Sequence, residues 1–367
     1  MKNIVRSIAL IICCMIVMTS CTPAKQGGQT QEKNEDKIRI GMSFDSFIIE
    51  RWQRDRDVFV STAKEYGAEV NVQNASGDVE EQKKQIEYLI AKEMDVIVII
   101  CADSEKLKDS VEKAKDAGIR VIAYDRLLMD TDAILYYATF DNKMVGTIIA
   151  NEIIDQADLN EVRKAGDYRT IEFFMGSPDD NNAYMFYTGL MEVLRPYMDD
   201  GTLVCKSGKF TFNETAIIRW SEEMAAEKCP RLLETHYKDE DLDICASVFD
   251  GFAYGCKTAL EDAGYTERNW PIITGQDADL KACKNILEGV QTSSVYKDTR
   301  VLAEKCVTMV NAVCNGSTPE INDIEQYNNR VITVPSYLCT PVIINADNIQ
   351  EIIIDSGYYT EEELMGE

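Results

Sequence analysis

The chain has 367 residues and a formal net charge of −25. Such acidity argues against a nucleic-acid binder, which neutralises phosphate with clustered Lys and Arg, and otherwise bears on solubility rather than fold. About 330 residues beyond the N-terminal segment suffice for two lobes of ordinary domain size, each with its own core.

At the N-terminus, Lys2 and Arg6 precede eleven apolar residues, Ile8 to Met18, and then Thr19, Ser20 and Cys21. An apolar run this short reads as a secretory leader over residues 1–20 rather than a membrane span. Small residues immediately before a cysteine resemble the bacterial lipoprotein signal, which implies that Cys21 becomes the lipidated first residue of the mature chain. Residues 21–36, rich in Gln, Lys, Glu and Gly, read as a flexible tether.

Short apolar runs then alternate with amphipathic stretches of helical length. Strands are expected at Ile38–Phe44, Glu69–Gln73, Val96–Cys101, Arg120–Tyr124 and Leu135–Thr139, with helices near Glu50–Tyr66, Val79–Lys92 and Ser104–Ala117. The rhythm restarts after Asp141 with a helix to Gln156, a strand at Thr170–Met175, a helix over Ala183–Leu194 and a strand near Thr202–Ser207. It continues with a helix near Ala216–Leu233, the strand Asp243–Val248, a helix to Ala263 and the strand Pro271–Gly275. Strict alternation predicts an α/β protein of two doubly wound parallel-sheet lobes.

Ligands of open parallel sheets sit beyond the carboxyl ends of the strands. At those ends stand Asp45, Asp125 with Arg126, Asp141 with Asn142, the loop Ser177–Asn182, Asp250, and Gln276 with Asp277. Each could be only a helix cap, but their recurrence in both halves, with Arg51 and Trp52 nearby, points to a shared cleft. The mixture suits a sugar, whose hydroxyls both donate and accept while its apolar ring face packs on an aromatic plane supplied by Trp52 and by Phe210 or Phe212.

Twelve cysteines are many for an exported chain; Cys13 and Cys14 leave with the leader and Cys21 is claimed by lipid, so nine remain, an odd number that cannot all pair. Cys101, Cys245 and Cys306 sit in apolar segments and read as small buried hydrophobes. No CxxC or Cys/His ligand spacing occurs, and His236 is the only histidine, so neither a metal site nor a His-dependent triad is expected. Dinucleotide, Walker, HExxH and GxSxG patterns are also missing, which leaves no cofactor and no enzyme to predict.

The stretch Ile40–Val60, with Ala123-Tyr-Asp-Arg126, Gly176–Asn182, Thr274–Asp279, Val295–Lys297 and Val334–Ser336 leading to Thr340–Pro341, resembles the D-xylose-binding proteins of the type I periplasmic-binding-protein superfamily. The resemblance runs in order from about residue 37 to 357. It implies a clamp with three hinge crossovers near Phe140–Asn142, Val295–Lys297 and Pro335–Thr340. Lobe one would combine residues 37–141 and 298–334, and lobe two residues 142–297 and 335–367. Position by position, Arg51 and Trp52 would bind and stack the ring and Asp125 with Arg126 would hold hydroxyls. Asn181 or Asn182, Asp277 and Lys297 would complete the polar ring, and Phe210 would face Trp52.

Two departures stand out. Phe249 precedes Asp250 where the family carries Asn before Asp, which removes a hydroxyl contact, and the opposite-wall tryptophan reads as replaced by phenylalanine. The resemblance implies a lipid-anchored, extracytoplasmic, monomeric carrier of D-xylose or a related aldose. It would serve the permease and ATPase subunits of an ABC importer, the alternative being a sugar-sensing co-receptor for a membrane kinase or chemoreceptor.

Overall fold

The computed structural model describes residues 37–366, so the leader, Cys21 and the tether lie outside the described residues. The first lobe opens with β1 (Arg39–Phe44), α1 (Glu50–Glu65), β2 (Glu69–Asn74), α2 (Val79–Ala91), β3 (Val96–Ile99), α3 (Lys108–Asp116), β4 (Arg120–Tyr124) and β5 (Tyr136–Phe140). The second follows with α4 (Asn142–Gln156), α5 (Leu159–Ala165), β6 (Arg169–Phe174), α6 (Asn181–Asp199), β7 (Leu203–Val204), α7 (Glu222–His236), β8 (Ile244–Ser247), α8 (Asp250–Asp262), β9 (Ile272–Ile273), α9 (Leu280–Leu287) and β10 (Ser293–Tyr296). The chain then returns through α10 (Thr299–Cys314) and β11 (Ser336–Cys339) and ends in β12 (Val342–Asn345) and α11 (Glu361–Met365).

Two sheets result. One has the order β11-β5-β4-β3-β1-β2 and the other β7-β6-β8-β9, and every pairing within them is parallel. A strand covered on both faces needs no polar side, and β3, Val-Ile-Val-Ile and fully buried, is the extreme case. Helix α1 turns Trp52, Phe59 and Ala63 into the first core at helical spacing, where Leu302, Cys306 and Val310 of α10 also pack. The same stripe buries Arg51 and Asp55, an ion pair that the apolar core alone does not call for.

The crossovers fall between β5 and α4, between β10 and α10, and between β11 and β12. Two are also helix starts: Asp141 accepts the Met144 amide at 2.9 Å and Asp298 the Arg300 amide at 3.0 Å, so capping fixes where each hinge strand gives way to helix.

Three expectations need correction. Ending lobe one at Val334 assigns Ser336–Cys339 to the second lobe, but β11 runs parallel to β5, with Ser336 opposite Tyr137 and Cys339 opposite Phe140. The third crossover therefore lies at Thr340–Pro341. Pairing is not all parallel, because β10 and β12 form an antiparallel ribbon. The helix expected over Ala216–Leu233 begins only at Glu222: Arg219 and Trp220 take positive φ of 57° and 56°, which no α-helix accommodates.

Helices α4 and α6 cross where Gly146 meets the Phe186 backbone and Gly189 meets that of Lys143, and a Cβ at either glycine would overlap a carbonyl oxygen. Gly146→Val should lower the urea midpoint by the equivalent of about 1–3 kcal/mol with little change in slope. An unaltered midpoint would show that this crossing tolerates side chains.

Candidate ligand-binding cleft

The cleft is assembled from the carboxyl ends of strands in both lobes. Past β4 the chain turns at Asp125 with φ of 58°, a left-handed conformation that a non-glycine residue holds only when its surroundings enforce it. They do so here. The Asp125 carbonyl accepts from the Tyr137 hydroxyl, from Thr139 Oγ1 at 2.9 Å and from Asn182 Nδ2 at 2.9 Å. With its backbone clamped, Asp125 presents Oδ2 to Arg51 Nη2 at 2.7 Å. Asp277, in the second lobe, also has positive φ, 95°, and its Oδ1 lies 2.8 Å from Lys297 Nζ and 3.7 Å from Arg51 Nη1.

Arg51 thus faces three carboxylates, the third being Asp55 one helical turn along α1 at 3.0 Å. Arg126 plays the parallel part, reaching Asp45 at 3.0 Å, Asp180 at 3.1 Å and the Cys101 carbonyl at 3.0 Å. Burial works against ionising Asp125, yet Arg51, Lys297 and Arg126 hold its carboxyl below the usual range. For Asp55 burial prevails over Arg51 and the Tyr124 hydroxyl and pushes the carboxyl up to about 6. Asp180 also rises to about 6, with burial outweighing Arg126. Every carboxylate on the inner wall is engaged by a cation: Asp125 by Arg51, Asp180 by Arg126 and Asp277 by Lys297. Groups so arranged hold hydroxyls in fixed geometry.

Trp52, 3 % exposed, forms one aromatic wall, with the Arg51 and Arg126 guanidinium carbons 4.8 and 5.6 Å from its ring centre. From the other lobe Trp220, a residue not anticipated from the sequence, lines the same cavity. It packs edge-on to Phe249 at 5.8 Å and stacks on Phe252 at 5.9 Å, in the turn that replaces the expected start of α7. Arg219 N donates to Ser177 Oγ at 2.7 Å and holds that turn, while Gly176 leaves room for the indole, which a Cβ would overlap.

Phe210 is half-buried beneath the Arg195 guanidinium at 5.2 Å and is not among the residues lining the cleft, so the expectation that it faces Trp52 is corrected. Asn182 lines the cavity, whereas its neighbour Asn181 does not and uses its amide N–H toward Ser104 Oγ at 3.4 Å. Phe249 lines the cavity. Asp250 lies behind the wall, fully buried, accepting from Gln291 at 2.9 Å, Ser294 at 2.8 Å and the Asp279 amide at 3.2 Å. It braces the loop that carries Asp277 and Asp279. Sequence reasoning also left Asp180 and Gln276 without roles, although both stand in loops it singled out; both line the cavity.

These residues enclose a residual cavity of about 20 Å³ that adjoins, through Arg51, Arg126, Trp220, Phe249 and Asp277, an open cleft of about 810 Å³. The lobes touch directly around the inner cavity, through Arg51 with Asp277, Arg126 with Asp180, and Asn182 Nδ2 with the Asp125 carbonyl at 2.9 Å. Trp52 Nε1, Trp220 Nε1 and Gln276 Oε1 are buried there without hydrogen-bond partners, two donors and one acceptor, whereas Arg51 Nε and Asp277 Oδ1 are met by ion pairs.

Asp55 supplies a pH test. Its folded pKa of about 6 stands above the ordinary 3.8, so the folded state binds this proton more tightly; the resulting stabilisation is complete below about pH 4 and is lost as pH rises through 6. Asp55→Asn cannot titrate, and should gain roughly 2–3 kcal/mol on the parent between pH 4 and 7 in denaturant unfolding. Parallel stability curves would contradict the placement of this proton.

Comparison with known proteins agrees with this geometry. The family model described as a periplasmic binding protein domain matches residues 40–318. A multiple sugar-binding periplasmic receptor of Rhizobium radiobacter is 40% identical over 331 residues, 90% of this chain and 93% of the relative. The D-xylose-binding periplasmic protein of Escherichia coli is 35% identical over 361 residues, 98% of this chain and 99% of its own. Among solved structures, an ABC transporter solute-binding protein of Clostridium phytofermentans with bound β-D-glucose superposes with a TM-score of 0.85 at 42% identity, covering 89% of this chain and 99% of that one. Two wound lobes, three crossovers and a match over most of its length place this chain in the periplasmic binding protein family, with the type I fold and among binding receptors rather than enzymes.

Proposed function

We propose that this protein is an extracytoplasmic carrier that closes around an aldopyranose of the D-xylose or D-glucose kind and delivers it to an ABC importer. The observation that carries the reading is the convergence of Arg51, Asp125, Arg126, Asn182, Asp277 and Lys297 on one cavity between Trp52 and Trp220. Paired carboxylates and cations match adjacent hydroxyls, each of which donates to one and accepts from the other. The two indoles offer apolar planes for the ring faces. The names of the relatives, covering multiple sugars, D-xylose and bound β-D-glucose, support a pyranose and leave room for more than one. Phe249 favours that breadth, because an apolar wall follows the ring outline without demanding a hydroxyl at one position.

On this reading the leader is removed and Cys21 carries the lipid that keeps the carrier beside its permease and ATPase partners, with residues 22–36 as the tether. Lobes formed by residues 37–141 with 298–339 and by 142–297 with 342–366 would close by rotation about the three crossovers. Sugar favours the closed form to the extent that it contacts both lobes at once.

Calorimetry and tryptophan fluorescence with D-xylose, D-glucose, L-arabinose and D-ribose test the function: saturable binding of at least one pentose or hexose pyranose without released product is expected, and flat signals for all four would defeat it. Asp125→Ala should weaken binding about 5- to 150-fold, since it strands Arg51 and the hydroxyls it shares. Unchanged affinity would remove Asp125 from the site. Trp220→Ala should weaken binding at least about tenfold while Phe210→Ala stays within about twofold, and the reverse order would restore Phe210 as the second wall. Phe249→Asn should narrow the sugar preference; an unaltered profile would show that this position does not set selectivity.

A further inference from the structure

Three cysteines outside the cleft converge in the core of the second lobe. Cys229 of α7, Cys245 of β8 and Cys256 of α8 are each fully buried, and their sulfurs all lie within 4.8 Å of one another. All nine described cysteines are free thiols, so no disulfide accounts for the convergence. Thiolates at 2.3 Å from a shared ion would stand about 4 Å apart in a trigonal array, which this cluster reaches by closing less than about 1 Å. A thiol that serves only as a small hydrophobe needs volume and no particular partner; here three separate elements bring sulfur to sulfur.

The surroundings suit a soft cation. Cys229, Cys245 and Cys256 belong to an apolar cluster with Leu232, Leu233 and Leu260, and no fourth His, Cys, Asp or Glu joins the group among the described residues. Lys228, adjacent to Cys229 in sequence and near Cys256 in space, donates to the carbonyls of Phe173 at 2.8 Å and Thr215 at 3.2 Å and forms no ion pair among the described residues. Its ammonium offsets the excess negative charge that sulfur ligands would bring into the core.

We propose that Cys229, Cys245 and Cys256 form a three-sulfur site for a thiophilic monovalent cation, Cu(I). Soft thiolates select such an ion over harder cations, and three-coordination suits it where no fourth ligand is present. As the sulfur–metal bonds form, the thiols give their protons to solvent, with no change of oxidation state at copper or sulfur. The ion would tie α7, β8 and α8 together below Trp220 and Phe249, stapling the lobe whose upper edge carries the second aromatic wall.

The test uses the full mature chain, reduced, refolded anaerobically with Cu(I), and desalted in the presence of a competing chelator. A single copper per chain and a raised thermal midpoint are expected. Both should be lost in Cys229→Ser and Cys256→Ser and kept in Cys205→Ser and Cys314→Ser, whose thiols lie outside the cluster. A parent protein that emerges free of copper, or a Cys229→Ser protein that retains as much as the parent, overturns the proposal. Should the core variants fail to fold, alkylation mapping of the loaded parent in mild denaturant decides: selective protection of Cys229, Cys245 and Cys256 supports the site, and protection of other cysteines or of none refutes it.

Discussion

A buried guanidinium must be surrounded by anions or the lobe that holds it does not form, and the cleft of this protein is organised around that requirement at Arg51. Its three carboxylates come from different places: Asp55 from the same helix, Asp125 from the end of β4, and Asp277 from the opposite lobe. Two belong to the same lobe as the guanidinium. The third is shared with Lys297 at the second crossover, so the network spans the hinge as well as the cavity. Removing the guanidinium would leave buried carboxylates uncompensated, which costs more than a pair itself contributes.

The same economy explains the strained backbone. Asp125 and Asp277 both adopt positive φ, an unfavourable choice for residues with a Cβ, and both present carboxylates to the cavity. Around Asp125 the strain is held by hydrogen bonds from Tyr137, Thr139 and Asn182, the last arriving from lobe two. The backbone that aims the carboxylate is therefore held in part by a residue of the other lobe.

Much of this was legible in the sequence. Buried parallel strands such as β3 declare themselves by unbroken apolar runs, and the polar residues after β4 and β9 fall where helix starts and strand ends must converge. Trp220 was not legible. Its segment reads as a continuation of α7, and what breaks the helix is a tertiary contact, the Arg219 amide on Ser177 Oγ, more than forty residues away in the chain. Asp250 shows the converse limit: its position was right, but packing turned its carboxylate toward Gln291 and Ser294, away from the ligand side. The pairing of β11 with β5 was missed because a four-residue strand entering from a distant segment has no local periodicity that names its partner.

The central claim is that a pyranose lies flat between Trp52 and Trp220 with its hydroxyls on the Arg51 and Arg126 networks. A crystal structure of the protein grown with D-xylose or D-glucose tests it most directly. The ring should occupy the gap between the two indoles, with hydroxyl oxygens within hydrogen-bonding distance of Arg51, Asp125 and Asp277. A sugar bound elsewhere, or one whose hydroxyls avoid these three side chains, would contradict the account.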